Sequence, residues 1–365
     1  MLKNVAIGIA VAALTATAFQ ARISAQQPAA QGQGGRGGRA VGATTAGNDA
    51  YPTDEQWKNS KPAQALVSKA KAAAGNDPIL QARFDKTCTV LGPQRPAVLA
   101  QNAGQKAEPQ RQVEIVKLFD NLYFFGYNTV GAWVIPTSQG IILIDSLNNV
   151  MEAETIIEPS LKKVGLDPAN VKYIIVGHGH FDHFGGAPYF QQKYGSKVVM
   201  SKVDWDMIEK PNPNARGPQA NRPLPKRDVE ITAGGQKVTL GDESITLQIT
   251  PGHTPGSMMY LIPVKDHGKP MNIIMLSGAN ITPDRASLDA FKKALDFARA
   301  NKAQALINGH PGLFGDEIGW MEELRTNPNG TNKFVMTPAQ FSKFIDIMED
   351  CAEARLVAMD YKGTN

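Results

Sequence analysis

The stretch IIVGHGHFDHFGG at residues 174–186 places three histidines and one aspartate within six residues. The whole chain has only six histidines, so this segment holds half of them. It continues an apolar run that is typical of a strand buried on both faces. Residues two apart on extended backbone point the same way, so His178 and His180 can face one metal ion. Asp182 and His183 follow where the chain turns toward a helix, and they can approach from another side.

Two of the remaining histidines follow predicted strands. His253 lies in TPGHTPGS, after a strand predicted at 245–250, and His310 lies in NGHPG, after a strand predicted at 304–308. A lone histidine is usually a satisfied core or surface residue, but five at strand ends with tight Gly and Pro turns indicate one shared site. Imidazole and carboxylate ligands suit zinc. We interpret His267, in VKDHGKP, as a solvated turn residue with no metal role.

Composition limits the class of protein. The chain has 365 residues and a hydrophobic fraction of 42%, which is enough for one large domain or two ordinary ones. Its 38 basic and 34 acidic residues give a net charge of +4. That balance is too mild and too mixed to indicate a nucleic-acid partner. The sequence leaves the oligomeric state open.

The N-terminal 50 residues are not expected to belong to the fold. Residues 1–25 have an early lysine, an apolar stretch and a small residue at Ala25, which is typical of a secretory signal peptide cleaved there. A membrane anchor is the alternative, but the apolar run from Val5 to Phe19 is shorter than the ~20 residues that span a bilayer. We predict an exported protein, periplasmic in a Gram-negative bacterium, without stable membrane insertion. Residues 26–50, rich in Gly, Gln and Ala, are predicted to form a flexible linker.

The rest of the chain is predicted to form a helical extension followed by an α/β domain. Residues 51–110 are helical and charged in composition, with a first helix over 54–75 that Asp54 would cap. From 111 to 365, β-rich runs and helices occur in two successive rounds, which predicts a two-sheet core with helices outside. The predicted strands and hairpin cover 113–118, 122–126, 131–135, 141–145, 171–177, 197–201, 237–252, 272–278 and 304–308; the predicted helices cover 150–165, 189–195, 287–303 and 337–359.

These motifs together resemble those of the metallo-β-lactamase superfamily. HGHFDH at 178–183 fits the HxHxDH signature of that family, and IILIDS resembles its strand that ends in a structural aspartate, here Asp145. TPGHTPGS and NGHPG are similar to its later histidine motifs and occur in the family's order. The resemblance runs from about Val113 to the C-terminus. It implies an αββα sandwich, so that 111–365 would be a metallo-β-lactamase-like hydrolase domain of the α/β class.

The resemblance also implies a dinuclear zinc site at one edge of the sandwich. The first zinc ion would be held by His178, His180 and His253, and the second by Asp182, His183 and His310. Asp182 would in addition have a catalytic role, because it would orient the zinc-bound hydroxide that attacks the carbonyl of a small-molecule substrate.

The subclass is indicated by finer features. His178, the HPG at 310–312 and the C-terminal segment from Thr337 look most like the third subclass of metallo-β-lactamases, which implies an exported enzyme that opens the β-lactam amide and confers antibiotic resistance. In LSGANIT at 276–282, Ala279 replaces the metal-bridging aspartate of many superfamily hydrolases. Those β-lactamases commonly have a serine there that helps to hold the substrate carboxylate. Asn280 or Arg285 would have to substitute for it.

Other functions were weighed against the β-lactamase. A lactonase or esterase on the same scaffold stays open as the alternative, although the lack of a metal-bridging aspartate is unlike the usual lactonases. A superfamily nuclease fits less well, since the chain has an export signal and no clustered basic patch. A non-catalytic metal-binding protein would not need six ligands spread over three distant loops.

The two cysteines, Cys88 and Cys351, lie far from the motifs in the sequence. A catalytic role for them is therefore disfavoured. In an exported protein they could form one disulfide that joins the N-terminal extension to the last helix, or they could remain free thiols.

Overall fold

The computed structural model describes residues 51–210, 222–278 and 281–363. The predicted signal peptide and linker, residues 1–50, lie outside the described residues, as do Ala279 and Asn280. All described residues belong to one compact unit. Within them, no helix is long and apolar enough to cross a membrane.

The β-rich runs form two sheets. Seven strands lie in sequence order in the first sheet and five in the second, which has the order β12-β11-β10-β9-β8. The first sheet consists of β1 (Gln112–Phe119), β2 (Leu122–Tyr127), β3 (Gly131–Thr137), β4 (Gly140–Ile144), β5 (Val171–Ile175), β6 (Lys197–Ser201) and β7 (Val229–Ile231). The second consists of β8 (Gln236–Leu240), β9 (Glu243–Ile249), β10 (Met258–Asp266), β11 (Lys269–Leu276) and β12 (Ala303–Asn308).

Each sheet is antiparallel over its hairpins and parallel where helices connect the strands. β1 to β4 pair antiparallel and β4 to β7 pair parallel. In the second sheet only the β11–β12 pair is parallel. The helices are α1 (Asp54–Asn59), α2 (Lys61–Ala74), α3 (Pro78–Thr87), α4 (Pro96–Asn102), α5 (Val150–Glu152), α6 (Glu158–Lys163), α7 (Phe181–Phe184), α8 (Ala187–Tyr194), α9 (Lys202–Ile208), α10 (Arg285–Ala300), α11 (Glu317–Thr326) and α12 (Pro338–Ala358).

Alternation along the strands divides the apolar residues between an inner and two outer layers. In β10, Tyr260 and Ile262 point between the sheets, while Met259 and Leu261 point toward α10 and α12. The other face of the first sheet packs on the helices from α5 to α9. Each fully buried aliphatic or aromatic side chain stabilises this packing by about 1.5–3 kcal/mol. The predicted αββα sandwich is therefore confirmed.

The helices differ from the prediction at three places. Thr53, not Asp54, caps α1, and its hydroxyl accepts a hydrogen bond from the backbone N–H of Gln56. The predicted helix over 54–75 is broken at Ser60, which caps a second helix with Pro62 in its first turn. The predicted helix over 150–165 is also interrupted, by a π-helical turn at Ala153–Ile157 just before Pro159, which lacks an N–H for a regular α ladder.

The N-terminal helices are fastened to the C-terminal helix. α2 and α3 pack on α12, and a disulfide joins Cys88, at the end of α3, to Cys351 in α12. The Cα atoms of the two cysteines are 5.0 Å apart, and 263 residues separate them along the chain. The extension thus forms part of the outer layer on the second sheet. The boundary at residue 110 between the extension and the hydrolase domain stays a prediction.

Removing this disulfide should destabilise the fold. Closing so long a loop is worth at most ~5 kcal/mol by chain-entropy estimates, and often less. Thiol titration of the unfolded, non-reduced protein should find no free thiol, and the Cys88→Ser variant should unfold at a lower temperature than wild type. Two free thiols, or an unchanged unfolding temperature in Cys88→Ser, would contradict the bond.

Candidate metal centre

Three histidines from two loops form the first ligand set. His178 and His180 follow β5, and His253 follows β9, so all three are presented where strands end at one edge of the sandwich. Their candidate ligand atoms lie within 4.8 Å of one another. Nε2 of His178 is 3.0 Å from Nδ1 of His180. Such a spacing lets three ring nitrogens converge on one ion.

The second set adds a carboxylate. Ligand atoms of Asp182, His183 and His310 also lie within 4.8 Å of one another. The Nε2 atoms of His183 and His310 are 3.2 Å apart, and Oδ2 of Asp182 is 3.6 Å from Nε2 of His310. The two sets adjoin, because the ring centroids of His178 and His183 are 4.1 Å apart. The structure thus brings together all six residues that the sequence motifs singled out.

The chemistry of this cluster fits metal ions. Nδ1 of His178 and Nδ1 of His253 are buried, and no hydrogen-bond partner reaches them within the described part of the chain. The nitrogen of His178 that faces the other ligands is Nε2, 3.0 Å from Nδ1 of His180, so Nε2 is the atom that would bind an ion. Burial also holds the pKa of both rings well below the usual value, so both are neutral imidazoles with a free lone pair. Five imidazoles and one carboxylate are a donor set that zinc accepts.

The charges of the remaining ligands are set by burial and by one another. Burial lowers the pKa of His180 and of His310 to about 4. Burial would raise the pKa of Asp182, but the neighbouring His183 and His310 reverse this and hold it below its usual value, so the carboxyl stays ionised. At His183, burial would lower the pKa, but the carboxylates of Asp145 and Asp182 outweigh burial and raise it.

Asp145 supports the second set from the end of β4. One of its oxygens lies 2.7 Å from Nδ1 of His183, and the other accepts the backbone N–H of Gly177 at 2.9 Å. The carboxylate is fully buried, and its backbone adopts a φ of 60°. His310 is oriented in the same way, because its Nδ1 lies 2.7 Å from the carbonyl of Thr129. Both rings therefore direct Nε2 toward the site.

Asp204, in the first turn of α9, is a supporting residue that the sequence analysis missed. Its carboxylate accepts the N–H of Gly179 at 2.7 Å, the N–H of Gly256 at 2.9 Å and the hydroxyl of Thr254 at 2.6 Å. It therefore ties the loop of His178 and His180 to the loop of His253. The sequence signal for Asp204 is its position directly after β6, a buried strand that ends at the same edge of the sandwich as β5.

A second missed group lies beneath His310. Oδ1 of Asn308 accepts the backbone N–H of His310 at 2.7 Å, and its Nδ2 donates to the buried Glu317 at 3.2 Å. Glu317 also accepts the N–H of Gly312. Burial raises the pKa of Glu317 to about 7, against the charge of Arg83, a fully buried residue of α3. The extension thus contributes a charge to the support of this loop.

The predicted substrate-binding residues, unlike the predicted metal ligands, are not brought together by the described part of the structure. Arg285 begins α10, and its guanidinium donates to Glu353 at 2.7 and 3.1 Å. It is therefore paired with Glu353 at the surface, and its role toward a substrate stays a prediction. Ala279 and Asn280 lie outside the described residues. His267 is exposed in the two-residue turn between β10 and β11, with a φ of 48°, as its interpretation as a turn residue requires.

Comparison with known proteins gives the class of the domain. The metallo-beta-lactamase superfamily model matches residues 128–267. Among solved structures, the subclass B3 metallo-β-lactamase BJP-1 of Bradyrhizobium japonicum is 27% identical with a TM-score of 0.52, and covers 64% of this chain and 89% of its own. MEM-A1, a subclass B3 enzyme from a soil metagenome library, is 25% identical with a TM-score of 0.53, covering 67% and 96%. Residues 128–267 therefore form a metallo-β-lactamase superfamily domain, and these two structural neighbours are subclass B3 metallo-β-lactamases.

Curated relatives at a similar level of identity have another named activity. An N-acyl homoserine lactonase of a Bacillus species is 28% identical over 160 residues, which is 38% of this chain and 60% of the relative. The N-acyl homoserine lactonase of Bacillus thuringiensis is 26% identical over 229 residues, 54% of this chain and 85% of its own. The first of these alignments thus spans less than two thirds of the relative.

Proposed function

We propose that the protein is an exported zinc hydrolase with two zinc ions per chain, and that it acts as a β-lactamase. The ions would be held by the two ligand sets: His178, His180 and His253, and Asp182, His183 and His310. The observation that carries the proposal is the convergence of two neighbouring ligand sets, each within 4.8 Å, at one edge of the sandwich. A dinuclear site of this kind serves hydrolysis of amides and esters.

The residues of the chain have distinct parts in this reaction. Bound zinc would polarise a carbonyl oxygen and lower the pKa of water from ~16 toward ~7. Asp182 stays ionised, so its carboxylate can accept a hydrogen bond from the attacking water and orient it toward the substrate. Asp145 and the carbonyl of Thr129 keep the rings of His183 and His310 in place. Cys88 and Cys351 are bonded to each other, so neither is a nucleophile.

The substrate of the proposed hydrolase could be a β-lactam or a lactone, and each of these classes is supported by a different set of relatives. Solved β-lactamases at 27% and 25% identity match over most of their length, which supports opening of a β-lactam amide. The curated lactonases support a second candidate, opening of a lactone ester on the same scaffold. Both reactions need the same attacking water and the same two metal ions, and they differ in the groups that bind the rest of the substrate.

A substrate panel on the zinc-loaded protein separates these candidates. A chromogenic cephalosporin, an acyl-homoserine lactone and a neutral aryl ester would each be assayed with and without chelator. We expect turnover of the cephalosporin that chelator abolishes. Asp182→Asn should lower its kcat by about 10²-fold or more, as loss of a proton-accepting group does. If the protein hydrolysed the lactone but not the cephalosporin, the proposed function would change from β-lactamase to lactonase.

Export is the remaining part of the proposal. It rests on the sequence of residues 1–25 and on the disulfide, which forms in oxidising compartments. In a Gram-negative host, we expect the protein in the periplasmic fraction with an N-terminus just after Ala25. N-terminal sequencing checks this, and a cytoplasmic protein that keeps residues 1–25 would contradict it.

A further inference from the structure

The segment between α3 and α4 runs from the C-terminal helix to the metal centre, and its first part is held to α12. Cys88 is bonded to Cys351. Arg355, a buried residue of α12, donates to the carbonyls of Thr87 at 3.1 Å and Thr89 at 3.3 Å. The start of the segment is therefore fixed by one covalent bond and by charge-assisted hydrogen bonds.

The far part of this segment packs beside His310. A Cβ placed on Gly312, two residues after His310, would lie only 2.7 Å from Cγ of Pro96. Gly312 also has a φ of 91°, which few other residues adopt. Arg95 directly precedes Pro96 and is the N-cap residue of α4. Since the chain is held on both sides of it, Arg95 is kept next to the loop of His310.

Arg95 borders the ligand cluster through its place in the chain, because the next residue, Pro96, packs against Gly312, two residues after His310. Arg95 is half-buried, and it forms no ion pair with any other residue that the structure describes. Its guanidinium is thus available to a ligand.

A second arginine lies on another side of the cluster. The guanidinium carbon of Arg222 is 3.7 Å from the ring centroid of Phe181, the residue between His180 and Asp182. Burial lowers the pKa of Arg222, and the carboxylates of Asp182 and Glu152 oppose this. Glu152 is already hydrogen-bonded to Asn148 at 2.8 and 3.0 Å. Stacking on an aromatic ring holds a guanidinium in place and leaves its N–H groups free to bind.

We propose that Arg95 and Arg222 form an anion-binding rim at the metal centre, and that the substrate carries a carboxylate next to its scissile bond. This inference rests on the proposed hydrolase function and names its substrate class. Guanidinium groups bind carboxylates through two parallel charge-assisted hydrogen bonds, which fixes the orientation of the bound group. Every penicillin and cephalosporin has such a carboxylate, whereas an acyl-homoserine lactone is uncharged. The rim would supply cations in addition to Arg285, which is paired with Glu353.

A matched pair of substrates tests the rim. A chromogenic cephalosporin and its carboxylate methyl ester would be assayed on zinc-loaded wild type, Arg95→Gln and Arg222→Gln, with the zinc content of each measured first. Each variant should raise KM for the acid by about tenfold or more, the usual range for a hydrogen bond to a charged group, with kcat little changed. Kinetics on the ester should stay as in wild type. Arg325→Gln is the control, because it removes the same charge from an exposed residue paired with Glu322.

The proposed rim would be rejected if the variants raised KM equally for the cephalosporin and its methyl ester, or did not change KM for the cephalosporin. Either result would leave the proposed hydrolase function in place. A binding arm covers the case in which wild type turns over neither compound. Hydrolysed penicillin, a dicarboxylate, would be titrated calorimetrically into the same zinc-loaded proteins. Binding that weakens about tenfold in Arg95→Gln and Arg222→Gln, but not in Arg325→Gln, would support the rim and reject the β-lactamase. Absent or unaltered binding would reject the rim.

Discussion

One buried carboxylate joins the two halves of the candidate metal centre. Asp145 accepts the N–H of Gly177, which begins the loop of His178, and it orients the ring of His183. A carboxylate with no exposed surface is costly unless its oxygens are bonded, so these two contacts stabilise the fold as well as the site. Asp204 does the same between the loops of His180 and His253. The convergence of the ligands thus depends on contacts within the fold as well as on the residues that would bind the metal.

Much of this arrangement could be predicted from the sequence, because it depends on local spacing. Histidines two apart after a buried strand, and Gly- and Pro-rich turns at strand ends, mark residues that must meet at one edge. The supporting groups could not be predicted. Asp204 acts through residues 25 and 52 positions away, and Arg83 lies 231 positions from the carbonyl of Phe314 that it contacts. No local pattern reveals that Arg285, a predicted substrate-binding residue, forms a salt bridge to Glu353 of α12.

The N-terminal extension is the part of the chain that joins stability to function. It is bound to α12 by the disulfide, it places Arg83 beneath the loop of His310, and it ends in the segment that carries Arg95. A lactone and a β-lactam would meet the same six ligands, so their discrimination must come from groups around them. The proposed rim of Arg95 and Arg222 would favour an anionic substrate, in agreement with the likeness to subclass B3 enzymes.

The central claim is that six side chains hold two metal ions. Calorimetric titration of the metal-free protein with Zn²⁺, checked by elemental analysis after dialysis, tests it most directly. The account predicts two zinc ions per chain in wild type, loss of an ion in His180→Ala, and two ions in His267→Ala, whose exposed turn lies outside the site. A single ion in wild type, or an equal loss in both variants, would contradict it.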